Sequence, residues 1–390
     1  MAATVVVAGV AVAALAVALG APLWSTALAL MAFGLLHNAL ELRYVGGRFP
    51  RLLSGPYLLA LVGIITAIVV ARLAASLGGS GWTMRSEIVL AYALLVTAVV
   101  VGARGRRSST SRPTARSGPL GSSRSSGSRR STSRRSSGSS RSMVSPVAMA
   151  ALVVLAVAAA ASWRWTDHHV VVITHLHNLI PLAFLWELSR SMAPAARRAF
   201  RGAQLAWVVV VPALILAGTF DAVIGRGAGD VPGLGGVGQI APFTSLPGAW
   251  DTVVGRRFLA VFAFLQLMHF VVWVFVIPRW TPRATATFEA RVPALRGRRF
   301  WALTVCAAVA FVVLFVADYA EGRSAYTALA SYHAYLELPL LVGVAFLAGR
   351  GTSSRAPGSP GSPAGRVSDG ATAPLAGAVP TGPSISSRGR

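Results

Sequence analysis

Long apolar runs, each near the length that crosses a bilayer, alternate along the chain with short stretches holding arginine, glycine and proline. About 20 apolar residues suffice for one spanning helix. Residues 1–40 carry no charged side chain and are interrupted only near Gly20 and Pro22, which predicts two helices rather than one. A cleaved leader would carry a positive n-region, and residues 1–10 have none, so the first run is read as a helix. Further runs at 52–77, 87–101, 144–161, 168–188, 204–219, 258–277, 300–317 and 327–347 complete an expected all-α, polytopic transmembrane bundle of about ten helices.

The polar stretches give that bundle an orientation. Arg43, Arg48 and Arg51 follow the second run; Arg190, Arg197, Arg198 and Arg201 follow the sixth; six arginines from Arg279 to Arg299 follow the eighth. The intervening loops hold Asp167, Asp221, Asp230, Asp318 and Glu321. Positive residues concentrate on the cytoplasmic side. An even number of spans with this alternation predicts both termini there and a multi-pass protein of the cell membrane. After the fourth run, residues 103–142 are almost wholly Ser, Arg, Gly, Thr and Pro, with eleven arginines and little apolar surface to offset the entropy of ordering. The expected organisation is therefore helices 1–4 in 1–102, a disordered linker in 103–142, helices 5–10 in 143–349, and a disordered tail in 350–390. Both disordered segments are expected to be cytoplasmic. The linker arginines suit anionic lipid headgroups, with a solvated spacer as the simpler reading.

Composition narrows the function. The 390 residues are 54% hydrophobic and 12% charged, against roughly 25% charged in soluble domains, which argues against an ordinary soluble enzyme. The net charge of +24 lies between apolar runs and in the linker rather than along one helix face, so no nucleic-acid partner is expected. A single cysteine, Cys306, leaves histidine and carboxylates as the available metal ligands.

All seven histidines lie in or beside the apolar runs. Ionisable groups at membrane depth are costly and mark functional sites by default. The second and tenth runs both contain His-x-x-Leu-Glu-Leu, as His37 with Glu41 and His333 with Glu337, and a spacing of four places each pair on one helical face. A carboxylate there shares a metal with its imidazole or fixes its tautomer; alternatively the pair ties two helices together. The sixth run holds His168, His169, His175 and His177, with Asn178 and then Pro181. His175 and His177 point about 200° apart on a regular helix, so the two do not share one metal without distortion. His168 and His169 are expected at the outer interface, against headgroups. The eighth run adds His269. Counted from the predicted cytoplasmic ends of their helices, His37, His177, His269 and His333 spread over roughly 16 Å of depth.

The element Gly34-Leu-Leu-His37-Asn38-Ala-Leu-Glu41 resembles the early Gly-Leu-Pro-His-Gly-Ala-Leu-Asp element of the Brp/Blh family of membrane enzymes that cleave β-carotene, and His333 with Glu337 resembles that family's C-terminal His followed by an acid. The chain departs from the family pattern at His269, without a His-Ser-x-x-His run, and at His175 and His177, without a His-Phe-Gly element. The resemblance implies a helical bundle whose histidines hold one iron that activates dioxygen. On this reading His37, His177, His269 and His333 are metal ligands, with His175 as substitute for His177. Glu41 and Glu337 orient the imidazoles, Asn38 and Asn178 bond water or oxygen, and a lipophilic, carotenoid- or lipid-like substrate enters from the bilayer. The rival expectations are a proton-coupled transporter using the same His and Glu, a haem protein, and a non-enzymatic scaffold.

Overall fold

The computed structural model describes residues 2–50, 52–53, 55–78, 82–110, 146–224 and 240–348. Every regular element among them is helical. Gly20 and Pro22 divide the charge-free N-terminal stretch as expected, into α1 (Ala2–Gly20) and α2 (Pro22–Arg48), with the proline placed in the first turn, where its missing N–H costs nothing. Then follow α3 (Gly55–Gly78), α4 (Trp82–Thr110), α5 (Pro146–Arg164) and α6 (Thr166–Leu188).

Two later spans each contain a π-helical turn. α7 (Pro194–Leu205) passes through Ala206–Val210 into α8 (Val211–Leu216). The short α9 (Asp221–Ile224) and α10 (Ile240–Thr244) precede α11 (Val253–Val271), which passes through Val272–Val276 into α12 (Ile277–Trp280). Each π turn lies just ahead of a proline, Pro212 or Pro278, which cannot donate to the carbonyl four residues back. The widened turn accommodates that break without ending the helix. α13 (Pro282–Arg291), α14 (Arg298–Ala317) and α15 (Tyr319–Ala348) complete the fold.

Among the described residues nine helical spans are long and apolar enough to cross a membrane, and a shorter apolar helix, Thr4–Gly20, precedes them. The expected ten apolar helices are all present, although the first is marginal in length. The linker begins later than expected: α4 continues to Thr110, so 103–110 are helical. The helix follows the apolar run of α4 into the first polar residues. Residues 111–145, which hold the rest of the expected linker, and the 351–390 tail lie outside the described residues.

Burial is inverted relative to a soluble protein. Peripheral helices expose large apolar side chains, such as Leu59 and Val70 on α3, Val153, Val154 and Val157 on α5, and Val305, Val309, Val313 and Val316 on α14. Polar groups are sequestered instead: His37, Glu41, Gln266, His269, His333 and Glu337 are all buried. A contiguous apolar exterior of this extent suits lipid and not water. The described chain is thus a polytopic helical bundle of membrane type.

α2 and α11 run through its centre. α2 packs along α11, α13 and α14, while α15 packs along α3 and α4. Arg43 pins the far end of α2: buried beside the Phe300 ring at 4.5 Å, it pairs with Glu289 of α13. The Gly297 N–H, and after it Arg43, hold the Glu289 carboxyl below the usual carboxylate range.

Gly47 marks the closest approach of α2 to α13, since a Cβ there would lie 1.9 Å from the Ala284 carbonyl oxygen. Backbone cannot yield as a side chain does. Gly47→Ala is therefore expected to destabilise the protein by about 1–3 kcal/mol. Gly63→Ala, at a position with nothing within 4 Å of the added atom, should be neutral or slightly stabilising. Thermal unfolding in detergent measures both.

Candidate metal centre

Four helices each bring one histidine to a common point. His37 on α2, His177 on α6, His269 on α11 and His333 on α15 each offer a ring nitrogen, and these four atoms lie within 4.8 Å of one another. The rings form a closed square, with centroid separations of 5.1 Å for His37–His269, 4.6 Å for His269–His177, 4.9 Å for His177–His333 and 4.8 Å for His333–His37. The expected spread in depth is absent, and the reason lies in where depth was counted from. His37, His177 and His269 each lie eleven residues before the end of their helical span, and His333 lies fifteen before. Arg43, the first arginine after His37 and the predicted end of that span, is a buried ion-paired residue and not the membrane boundary.

The contacts within the square have the spacing that ligands of one metal ion would have. His333 Nε2 lies 3.2 Å from His37 Nε2 and 3.3 Å from His177 Nε2. A ring nitrogen carries either a proton or a lone pair, so one nitrogen does not satisfy two such neighbours well. Nitrogens bound to one metal at about 2.0–2.1 Å are separated by roughly 3.0–3.4 Å, the range seen here.

The outer nitrogens agree with this. His37 Nδ1 lies 3.2 Å from the Phe33 carbonyl one turn earlier in α2, and His177 Nδ1 lies 2.8 Å from Glu337 Oε2. An Nδ1–H of His37 directed at the Phe33 carbonyl leaves its Nε2 lone pair facing the centre, whereas the His177–Glu337 contact is close but not aligned as a hydrogen bond. Neither nitrogen of the fully buried His269 has a hydrogen-bond partner among the described residues.

Two carboxylates stand beside the square. Glu41, His269 and Glu337 form a second group of ligand atoms within 4.8 Å of one another, and both glutamates are 0% exposed. Glu337 approaches His177 of the facing helix rather than His333 of its own, because its longer side chain crosses the interface while a shared helical face only points the two the same way. Glu41 has no hydrogen-bond donor on either oxygen among the described residues. Trp273, buried in the π turn after His269, stacks beneath the group against Tyr44 and Phe184. Gly34, one turn before His37, admits Tyr326 of α15, whose ring would lie 2.8 Å from an added Cβ.

The remaining sequence candidates fall in different places. His175 stands apart from the square: its Nε2 lies 2.9 Å from the Thr244 carbonyl, and its ring packs edge-on against Phe258 and Phe262. α6 stays regular through Pro181, so residues two apart face away from each other as the spacing required. Asn178 is buried, bonds the Thr174 carbonyl and borders the cavity described below. Asn38 is buried with its side-chain carbonyl unpartnered among the described residues. His168 is exposed, as expected, but His169 is buried, with Nδ1 2.9 Å from the Ser162 hydroxyl. Successive residues lie about 100° apart on a helix, so one of the two must turn inward.

A cavity of about 480 Å³ opens onto all four histidines. Leu30, Ile173, Phe262 and Phe270 supply apolar wall, and Ile240, Phe243 and Thr244 of α10 border it, so part of the loop expected as either lid or loose connection borders the chamber. Residues 225–239 of that loop lie outside the described set. A second, mainly apolar crevice of about 550 Å³ shares His169, Ile173 and Tyr335 with the first. Sequence reasoning missed the polar pieces at these walls. Arg72 of α3 makes a two-pronged ion pair with Glu87 of α4, at 2.9 and 2.7 Å, and Tyr335 donates to the same carboxylate. The signal was present, because Arg72 interrupts an otherwise uncharged run at 52–77. Comparison of the chain with protein-family models, with curated proteins and with solved structures finds no match.

Proposed function

We propose that the chain is a membrane-embedded metalloenzyme, a non-haem iron dioxygenase in which His37, His177, His269 and His333 hold the ion. The observation that carries the reading is the convergence of three Nε2 atoms at 3.2 and 3.3 Å on a point with no other satisfactory partner. Imidazole donors suit iron, copper and zinc alike; iron is favoured by the resemblance of the His37 and His333 elements to the Brp/Blh enzymes. Charge is compatible with a divalent ion: four neutral imidazoles add none, and Glu41 and Glu337, themselves without solvent exposure, are two carboxylates that a bound cation would hold ionised.

When bound, such an iron supplies a redox centre that activates dioxygen. The chain supplies the rest. The Phe33 carbonyl fixes the tautomer of His37, Glu337 places a carboxylate beside His177, Asn178 offers a polar contact at the cavity wall, and the apolar lining excludes water and places a carbon–carbon double bond near the histidines. Oxidative cleavage balances without a further reductant: both atoms of dioxygen enter the two halves of one double bond, giving two carbonyl products. A haem is disfavoured, because imidazole rings packed at 4.6–5.1 Å leave no slot for a macrocycle.

The test is metal content by mass spectrometry for protein purified in mild detergent, beside a variant with His37, His269 and His333 all changed to Ala. About one iron per chain, lost in the variant, is the expected result. No metal in either preparation would overturn the reading and favour a proton-coupled carrier, whose pH-dependent flux would survive chelation.

A further inference from the structure

The walls of the histidine cavity are not uniformly apolar. Its apolar depth lies against the histidines, while Arg72, Glu87 and Arg323 border it. Arg323 lies ten residues before His333 on α15, which places the two about 15 Å apart along the helix.

The two arginines differ. Arg72 is compensated, bonded to Glu87 and to the Thr327 carbonyl. Arg323 has two aromatic neighbours, the Phe243 ring of α10 at 4.4 Å and Tyr319 one turn earlier on its own helix, and no carboxylate pairs with it among the described residues. The acidic residues at the start of its own helix do not serve it: Glu321 is exposed, and Asp318 is exposed and accepts from the Glu321 N–H. A guanidinium bordering a cavity inside an apolar bundle is costly unless an anion meets it.

We propose that the cavity takes a single-chain amphiphile whose anionic head, a carboxylate or a phosphate, docks on Arg323 while its unsaturated chain runs toward the four histidines. The proposal rests on the histidine group being the reactive centre. A pure hydrocarbon would fill the apolar depth but leave Arg323 without an anion. A planar guanidinium matches either head, since it offers paired donors to two oxygens. The aromatic face of Phe243 holds the guanidinium in place, which makes α10 part of the head site and not only a cover.

The test uses the full chain in discs of zwitterionic lipid and measures binding of oleate, methyl oleate and oleyl phosphate, with and without prior chelation. Oleate or oleyl phosphate is expected to bind at least ten-fold more tightly than the ester, and the tighter of the two names the head. Arg323→Gln should remove the preference and Arg323→Lys should retain part of it. If Arg323→Gln fails to fold, Ala334→Phe fills the chain half of the cavity instead and should weaken oleate at least ten-fold. Equal binding of acid and ester, or a preference untouched in Arg323→Gln, would overturn the proposal. Because binding is read in chelated protein too, a chain without metal would sink the enzymatic reading while leaving this one to stand or fall on its own.

Discussion

Replacing His333 with alanine is expected to abolish metal binding by the purified protein while leaving its helical content unchanged. His333 is chosen because its Nε2 alone approaches two other Nε2 atoms, those of His37 and His177. Removing it opens one corner of the square and leaves its two neighbours without their common partner. Loss of an outer, tautomer-fixing group lowers metal affinity by about 10–100-fold, and loss of a direct ligand should exceed that. Metal per chain should fall from about one to a small fraction. A ligand that binds only the folded state stabilises it by mass action, so chelation should lower the melting temperature of the wild type and leave that of His333→Ala unmoved. His175→Ala is the internal control. Its ring bonds a backbone carbonyl and lies outside the square, so metal content should stay at the wild-type value. If the histidines only tied helices together, His333→Ala would lower the melting temperature and chelation would affect neither protein.

Much of this site was legible before any coordinates. Spans follow from uncharged runs, and Gly20 and Pro22 place the break between α1 and α2 because a helix rarely continues through such a pair. The confinement of histidines to apolar runs singled out the four helices whose histidines converge, and helical geometry ruled that only one of His175 and His177 joins a given cluster. What escaped was relational. Depth along a helix depends on where its cytoplasmic end is set, and Arg43, which sets that end for the second span, is a buried charge whose partner, Glu289, lies 246 residues away. Likewise the spacing His-x-x-Leu-Glu pairs Glu337 with His333 in sequence, while packing of α15 against α6 gives it to His177. A one-dimensional pattern reports which face a residue occupies and not which helix meets that face. Arg323 was hidden for a similar reason, since its place beside the cavity depends on how α10 folds over the bundle.

Glu41→Gln is expected to move two properties in opposite directions, which separates a charge-balancing role from a structural one. Glu41 is fully buried, accepts no hydrogen bond among the described residues, and has an oxygen within 4.8 Å of Glu337 and of His269. Without a cation two carboxylates so close and so buried either repel or take up a proton, and at neutral pH each costs stability. With both ionised at 4.8 Å and an effective dielectric of 20 the repulsion would be about 3.5 kcal/mol. With a divalent ion among the four imidazoles, both charges become favourable counter-charges. The amide keeps the shape of the side chain and removes its charge. The metal-free variant should therefore melt at a higher temperature than the metal-free wild type, because the cost of repulsion or of protonation is gone. Its metal affinity should fall by about 10–100-fold, equivalent to roughly 1.4–2.7 kcal/mol, because half of the counter-charge is gone. A glutamate that merely anchored α2 to its neighbours would lose stability on substitution whether or not metal was present. Melting curves of both proteins, with and without chelator, together with an iron titration, distinguish the two. The reading fails if the metal-free variant melts below the metal-free wild type with its iron affinity unchanged.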